Sequence, residues 1–109
     1  MDLAAKLNRR VKLMKFEKLV DGSGNPVEDW VLFMEVWAGV EPIRGREYFA
    51  AAAVQSETMI RVRIRYRSGV NAGFRVHYDD RVLDVVGVID PYDKHQELEL
   101  MCKEVVENG

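Results

Sequence analysis

The sequence has little of what catalysis, covalent cross-linking or membrane insertion requires. Its 109 residues include one cysteine, two histidines and three prolines. The single thiol, Cys102, excludes an intramolecular disulfide and fits a reducing compartment, so the chain is expected in the cytosol. Cys102 itself reads as a small buried residue of a strand. His77 sits mid-strand and His95 in a turn, with no second histidine, cysteine or carboxylate at a metal-binding spacing, so no metal is expected. No apolar run approaches the ~18 residues of a membrane-spanning helix, and the first residues lack the apolar core of a signal peptide. The formal net charge is -2 and the pI about 5.7, which excludes nucleic-acid binding by bulk charge. Gly22-Ser23-Gly24 precedes no helical pattern, so it does not read as a phosphate cradle. Asp79-Asp80 and the Asp90/Asp93 pair are acids at hairpin ends, where turn geometry favours them. General acid/base chemistry needs carboxylates in contrasting environments within a cleft, and no pattern indicates one. Neither an enzyme nor a cofactor site is expected.

What the chain does have is the stretch Thr58-Met59-Ile60-Arg61-Val62-Arg63-Ile64-Arg65-Tyr66-Arg67, in which apolar and basic residues alternate strictly from Ile60 to Arg67. Successive side chains of a strand point to opposite faces, so Ile60, Val62, Ile64 and Tyr66 share one face and Arg61, Arg63, Arg65 and Arg67 the other. A helix with this pattern would spread arginine around its whole circumference, so the stretch is a strand. Its apolar face belongs in a core.

The remaining elements fall around this strand. Residues 9–19 read as a strand with Val11 and Leu13 on one face and Met14 and Phe16 on the other, which predicts a bulge or a strand apolar on both sides. Residues 20–26, with Gly22, Gly24 and Asn25-Pro26, form a long hairpin connection with a flexible tip. Residues 30–43 are the longest apolar run, rich in Trp, Val and Phe, bent near Gly39 and closed by Pro42. Both faces of that run carry bulky groups, which a closed barrel or a subunit interface would cover. In residues 44–55, Ala50, Ala51, Ala52 and Ala53 are strong helix formers, and Tyr48, Ala51, Ala52 and Gln55 fall near one face of a short amphipathic helix. After the arginine strand come a glycine-rich loop at 68–73, a short strand at 74–78, a tight turn at Asp79-Asp80 and a Val-rich strand at 81–89 with a bulge at Gly87. A turn at 90–95 then leads to a last strand at 96–106 that alternates Leu98, Leu100 and Cys102 with Glu97, Glu99 and Lys103. The expected architecture is one domain over residues 1–109. It is mainly β, a small antiparallel β-barrel of about six strands with one short α-helix between the second and third strands.

The arginine face has three possible counterparts. Same-face neighbours lie ~6.6–7 Å apart and repel by roughly 0.6 kcal/mol in water, so four in a row benefit from counter-charges. Glu97 and Glu99, or acids of the second strand, could supply them across the sheet at about 0.2–1 kcal/mol per pair. An acidic neighbouring subunit is the second option and a nucleic-acid backbone the third. Aromatics are not interleaved with the arginines, which argues against a general nucleic-acid binder.

The order of motifs resembles that of the head–tail adaptor (head-closure, head–tail joining) proteins of bacteriophages and prophages. The resemblance is carried by Trp30, Trp37-Ala38-Gly39-Val40-Glu41-Pro42, Gly45-Arg46-Glu47 with the alanine-rich segment, and the stretch from Thr58 through Gly69-Val70. It continues in Val76-His77-Tyr78-Asp79-Asp80-Arg81 through Val88 and in Leu98-Glu99-Leu100-Met101-Cys102. It spans residues 9–104, although Asn8-Arg9-Arg10-Val11 stands where the family usually opens with a Gly-Arg-Leu type of strand. The resemblance implies a structural virion component: a ring of identical subunits at the neck, between the portal-side connector and the tail or tail-terminator protein. Such a ring lines a channel for double-stranded DNA and is assembled in the host cytoplasm. It implies no membrane. Under this reading Trp30, Phe33 and Met34, with Tyr48 and Phe49, are interface candidates, with core packing as the alternative for each. Arg61, Arg63, Arg65 and Arg67 are a candidate inter-subunit or channel surface. Segments 21–26 and 68–73 are the loops expected to order on docking. The rival function is a free-standing OB-like nucleic-acid-binding barrel.

Overall fold

The computed structural model describes residues 7–43 and 59–105 of the chain. Six strands follow one another: β1 (Arg9–Val20), β2 (Pro26–Pro42), β3 (Met59–Arg65), β4 (Arg75–Tyr78), β5 (Arg81–Ile89) and β6 (Glu97–Glu104). A single 3-10 turn, Pro91–Asp93, separates β5 from β6, and no α-helix occurs among the described residues. The helix expected over 44–55 lies outside them.

The strands close into a barrel in the order β1-β2-β3-β6-β5-β4, with every pairing antiparallel. Closure removes the open sheet edges that would otherwise invite pairing with other chains. The core is the inward half of each alternating strand. Val11 and Leu13 of β1, Val62 and Ile64 of β3, Val76 of β4, Leu83 and Val85 of β5, and Leu98, Leu100 and Cys102 of β6 form one buried cluster. No charged or polar residue is buried with them among the described residues. Burial pushes the Cys102 thiol up to about 12.

Two irregularities shape the barrel. Val85 pairs with Cys102 while Gly87 pairs with Met101, so Val86 is the extra residue of the bulge anticipated at Gly87, and it points outward. The second lies where β1 and β2 leave the barrel. Leu13 pairs with Met34 but Met14 with Leu32, so Phe33 is the extra residue of β2. A bulge bends the strand and re-aims the side chain. Phe33 meets Phe74 edge to face at 5.2 Å between ring centroids and packs against the core from its end. Gly69 makes room for it: a Cβ there would lie 3.3 Å from the Phe33 ring, and φ of +89° already disfavours any other residue.

Beyond this bulge the β1–β2 hairpin pairs with no other strand among the described residues. β4 reaches only Lys12, Leu13 and Met14 of β1, and β3 reaches only 38–42 of β2. Residues 15–20 and 26–32 therefore form a two-stranded arm that extends past the barrel rim, consistent with overall dimensions of 51 × 32 × 25 Å. Its tip is tied by Asp21, whose Oδ1 accepts from the backbone N–H groups of Ser23 and Asn25, each at 2.9 Å. The chain leaves the barrel at Ile43 and returns at Met59, and the Ile43 N–H donates to the Met59 carbonyl at 3.0 Å.

Candidate interaction surfaces

The arginine strand divides into two halves with different surroundings. Register sets Arg61 opposite Glu41 of β2, and Arg63 and Arg65 opposite Glu99 and Glu97 of β6. Only Arg61 and Arg63 come within ion-pair distance of these acids. Arg61 reaches Glu41 at 3.1 Å and Glu99 at 3.5 Å. Arg63 reaches Glu41 and Glu99 at 3.3 Å each and Glu97 at 3.9 Å. Both side chains are mostly covered, at 15% and 19% exposure. Cross-strand pairs of opposite charge stabilise a sheet at about 0.2–1 kcal/mol each, so this half is a knitted part of the barrel wall. Tyr66 lies just past β3, half-exposed and stacked on His95 at 4.7 Å.

Arg65 and Arg67 have no carboxylate within ion-pair distance among the described residues, and Arg67 Nε is buried without a hydrogen-bond partner. With Leu7, Arg10, Glu35, Val36 and Trp37 they line an open groove of about 440 Å³. Arg10 pairs with Glu35 at 3.4 Å and lies 5.3 Å above the Trp37 ring, which is 53% exposed. The groove thus combines three guanidinium groups and one carboxylate with an exposed indole. Trp37 is not among the interface residues expected from sequence; the signal available there is its parity with Glu35 and Glu41 along the strand.

The arm is the second surface. Phe16 and Trp30 face each other across it at 5.1 Å, edge to face, and Arg75 of β4 covers Trp30 at 4.5 Å. Phe16, Val20 and Leu32 are 46%, 72% and 55% exposed. The opposite face carries Lys15 beside Val31, Glu17 beside Asp29 and Leu19 beside Val27. Of the residues expected at an interface, Trp30 lies on the arm, half-buried. Phe33 and Met34 pack against the barrel core, and Tyr48 and Phe49 lie outside the described residues.

The rest of the polar surface is locally satisfied. Arg75 pairs with Asp84 at 2.8 Å. Arg81 makes a two-pronged contact with Glu104, both at 2.9 Å, and this hydrogen bonding raises the Arg81 pKa and holds Glu104 below its ordinary value. His77 is held below 6.5 by partial burial, then by the charges of Arg75 and Lys12. In the β5–β6 turn, Asp90, Asp93 and His95 bring ligand atoms within 4.8 Å of one another, a grouping that pairwise spacing in the sequence did not reveal. A hydrogen bond between His95 Nδ1 and Asp90 accounts for the arrangement, and Asp93 is almost fully exposed. That bond raises the His95 pKa. Desolvation pushes the Asp90 carboxyl up, but the ring and backbone hydrogen bonds from His95 outweigh it, and the net shift is downward.

Comparison with known proteins agrees with a non-catalytic β-barrel. The family of phage head completion proteins matches residues 3–105. Head completion protein gp7 of Enterobacteria phage HK97 is 35% identical over 103 residues, covering 90% of this chain and 92% of that protein. Among solved structures, a Shigella flexneri 2a protein determined in solution superposes with a TM-score of 0.80 at 26% identity, covering 99% of this chain and all of the other. A chain of the virion of a native gene transfer agent particle superposes with a TM-score of 0.62 at 20% identity, covering 93% and 97%, a likeness of fold. The chain belongs to the phage head completion protein family, a structural component of the virion and not an enzyme.

Proposed function

We propose that this head completion protein acts as a ring-forming adaptor at the virion neck, joining the portal-side connector to the tail or its terminator and surrounding the DNA as it passes. The observation that carries the reading is the arm. A barrel of this size hides its own core completely, yet the chain projects a hairpin whose Phe16, Leu19, Val20, Val27 and Leu32 remain open to solvent. Apolar side chains left exposed on both faces of a projecting hairpin mark a contact with another molecule. The channel reading needs only non-specific tolerance of DNA, which fits an acidic chain with a pI of about 5.7. A free-standing nucleic-acid-binding barrel is less well supported, because Arg61 and Arg63 are occupied by Glu41, Glu97 and Glu99.

The test is electron microscopy of the purified chain added to DNA-filled heads that carry the portal-side connector. A ring of density added at the connector, absent when the chain is omitted, is the expected result. Heads left unchanged by saturating protein contradict the adaptor reading. Tight binding of the isolated chain to DNA, falling steeply with salt and lost on Arg61→Ala with Arg63→Ala, points to the rival function instead.

A further inference from the structure

We propose that the groove lined by Arg10, Trp37, Arg65 and Arg67 receives the Glu17/Asp29 face of the hairpin arm of a second copy of this chain, in a head-to-tail contact. The inference rests on the ring reading above and names the two surfaces that close the ring.

The groove sets one carboxylate, Glu35, against three guanidinium groups. Arg10 has Glu35, but Arg65 and Arg67 have no ion-pair partner among the described residues. Arg67 Nε is buried without a hydrogen bond, as are Arg61 Nε and Arg63 Nε, but those two guanidinium groups reach Glu41 and Glu99. The other arginines of β3 to β5, Arg61, Arg63, Arg75 and Arg81, each pair with a carboxylate of their own chain. A guanidinium presents a planar fork that suits a carboxylate, and the Trp37 indole and Leu7 beside it suit an aliphatic side chain. The occupant is therefore acidic and apolar at once.

The arm has that composition on one face. Glu17 and Asp29 are directly opposite in register, an arrangement of like charges that costs stability within the arm. Lys15 offsets Glu17 at 3.4 Å, whereas Asp29 has no basic partner among the described residues and uses Oδ1 only to accept the Trp30 N–H at 2.8 Å. Leu19 and Val27 flank the acids and are about two-fifths exposed. An acidic pair that is unfavourable alone becomes favourable against two unpaired arginines.

Position decides that the contact is between copies. Asp29 and Trp37 lie on the same strand, separated by about 26 Å at ~3.3 Å per residue, so an arm cannot fold back onto its own groove. Donor and acceptor surfaces at different ends of one subunit make a heterologous contact, which repeats into a ring when the rotation closes.

The experiment uses the full chain with reversed charges on each surface: Arg65→Glu with Arg67→Glu, Glu17→Arg with Asp29→Arg, and all four together. Self-association is read by sedimentation velocity, alone and on the isolated connector, with thermal melting as a check on folding. Each double variant is expected to weaken self-association at least tenfold, and the quadruple variant to restore it. For a double variant that melts early, Arg67→Gln and Asp29→Asn replace the reversals and are expected to weaken association in the same direction. Assembly that survives both double variants, or fails to recover in the quadruple one, overturns this pairing while leaving the ring reading intact. A wild-type chain that stays monomeric both alone and on the connector overturns the ring reading and this inference together.

Discussion

The barrel and the arm are built from the same hairpin yet obey different rules. In the barrel, β1 and β2 each have two neighbours and their inward residues, Val11, Leu13, Val36 and Ala38, are buried. Beyond the Phe33 bulge the same two strands pair only with each other among the described residues. Apart from Arg75 over Trp30, both faces carry apolar side chains that stay exposed. The barrel is stabilised by apolar burial and by charges matched across strands. The arm holds together through cross-strand pairs such as Phe16 with Trp30, and an isolated two-stranded ribbon is marginal in water. The difference teaches that one region supplies stability and the other supplies contact, so mutations should separate the two.

The largest effect is expected in the barrel. Leu100→Ala removes a fully buried side chain from the centre of β6 and should cost about 2–5 kcal/mol in denaturant unfolding. A loss below about 1 kcal/mol would mean that the core is looser than the closed barrel implies. Gly69→Ala tests the junction between the regions. The added methyl meets Phe33 in a backbone conformation that disfavours it, and the expected loss is about 1–3 kcal/mol. Arg63→Met leaves Glu41, Glu97 and Glu99 without one of their shared cations. It should cost about 1 kcal/mol at low salt and less at high salt, where the remaining repulsion is screened. Phe16→Ser on the arm is expected to cost about 0.5–1 kcal/mol, the lost edge-to-face contact with Trp30, while weakening incorporation into heads. Equal stability losses for Phe16→Ser and Leu100→Ala would erase the distinction.

The smallest effect is electrostatic and is read by NMR titration. His95, raised by its bond to Asp90, should titrate at higher pH than His77, which is lowered. Asp90→Asn should bring His95 back toward 6.5. Because the folded His95 pKa is raised and that of Asp90 is lowered, their mutual support is full between the ordinary values of 3.8 and 6.5. It fades as pH rises through the folded His95 pKa or falls through that of Asp90. A His95 midpoint at or below that of His77 contradicts the pairing.

Much of the barrel was legible in the sequence because period-two alternation reports directly on which face is buried. Ile60, Val62 and Ile64, or Leu98, Leu100 and Cys102, could be assigned to the core without knowing their neighbours. Turn chemistry located the 20–26 connection and the Asp79-Asp80 turn, where Asp79 adopts the left-handed φ of 54°. The bulge suspected from the change of face at Met14 exists, but its extra residue lies across the ladder, at Phe33 of β2. That detail is not local: it depends on the register between two strands, and it turns Phe33 into a core cap. The split of the arginine row was invisible for the same reason. Arg61 and Arg67 look alike along the chain, and only the pairing of β3 with β2 and β6 gives one of them glutamates and leaves the other beside Arg10 and Trp37. The arm could not be read either, since an apolar strand residue looks the same whether a barrel or a partner is to cover it.

Hydrogen–deuterium exchange of the free chain and of the chain assembled on connector-bearing heads tests the central claim most directly. The account predicts that amides of β3 and β6 are protected in both states, whereas those of residues 15–20 and 26–32 exchange readily in the free chain and become protected on assembly. Arm amides as protected in the free chain as those of β6, with no change on assembly, would contradict it.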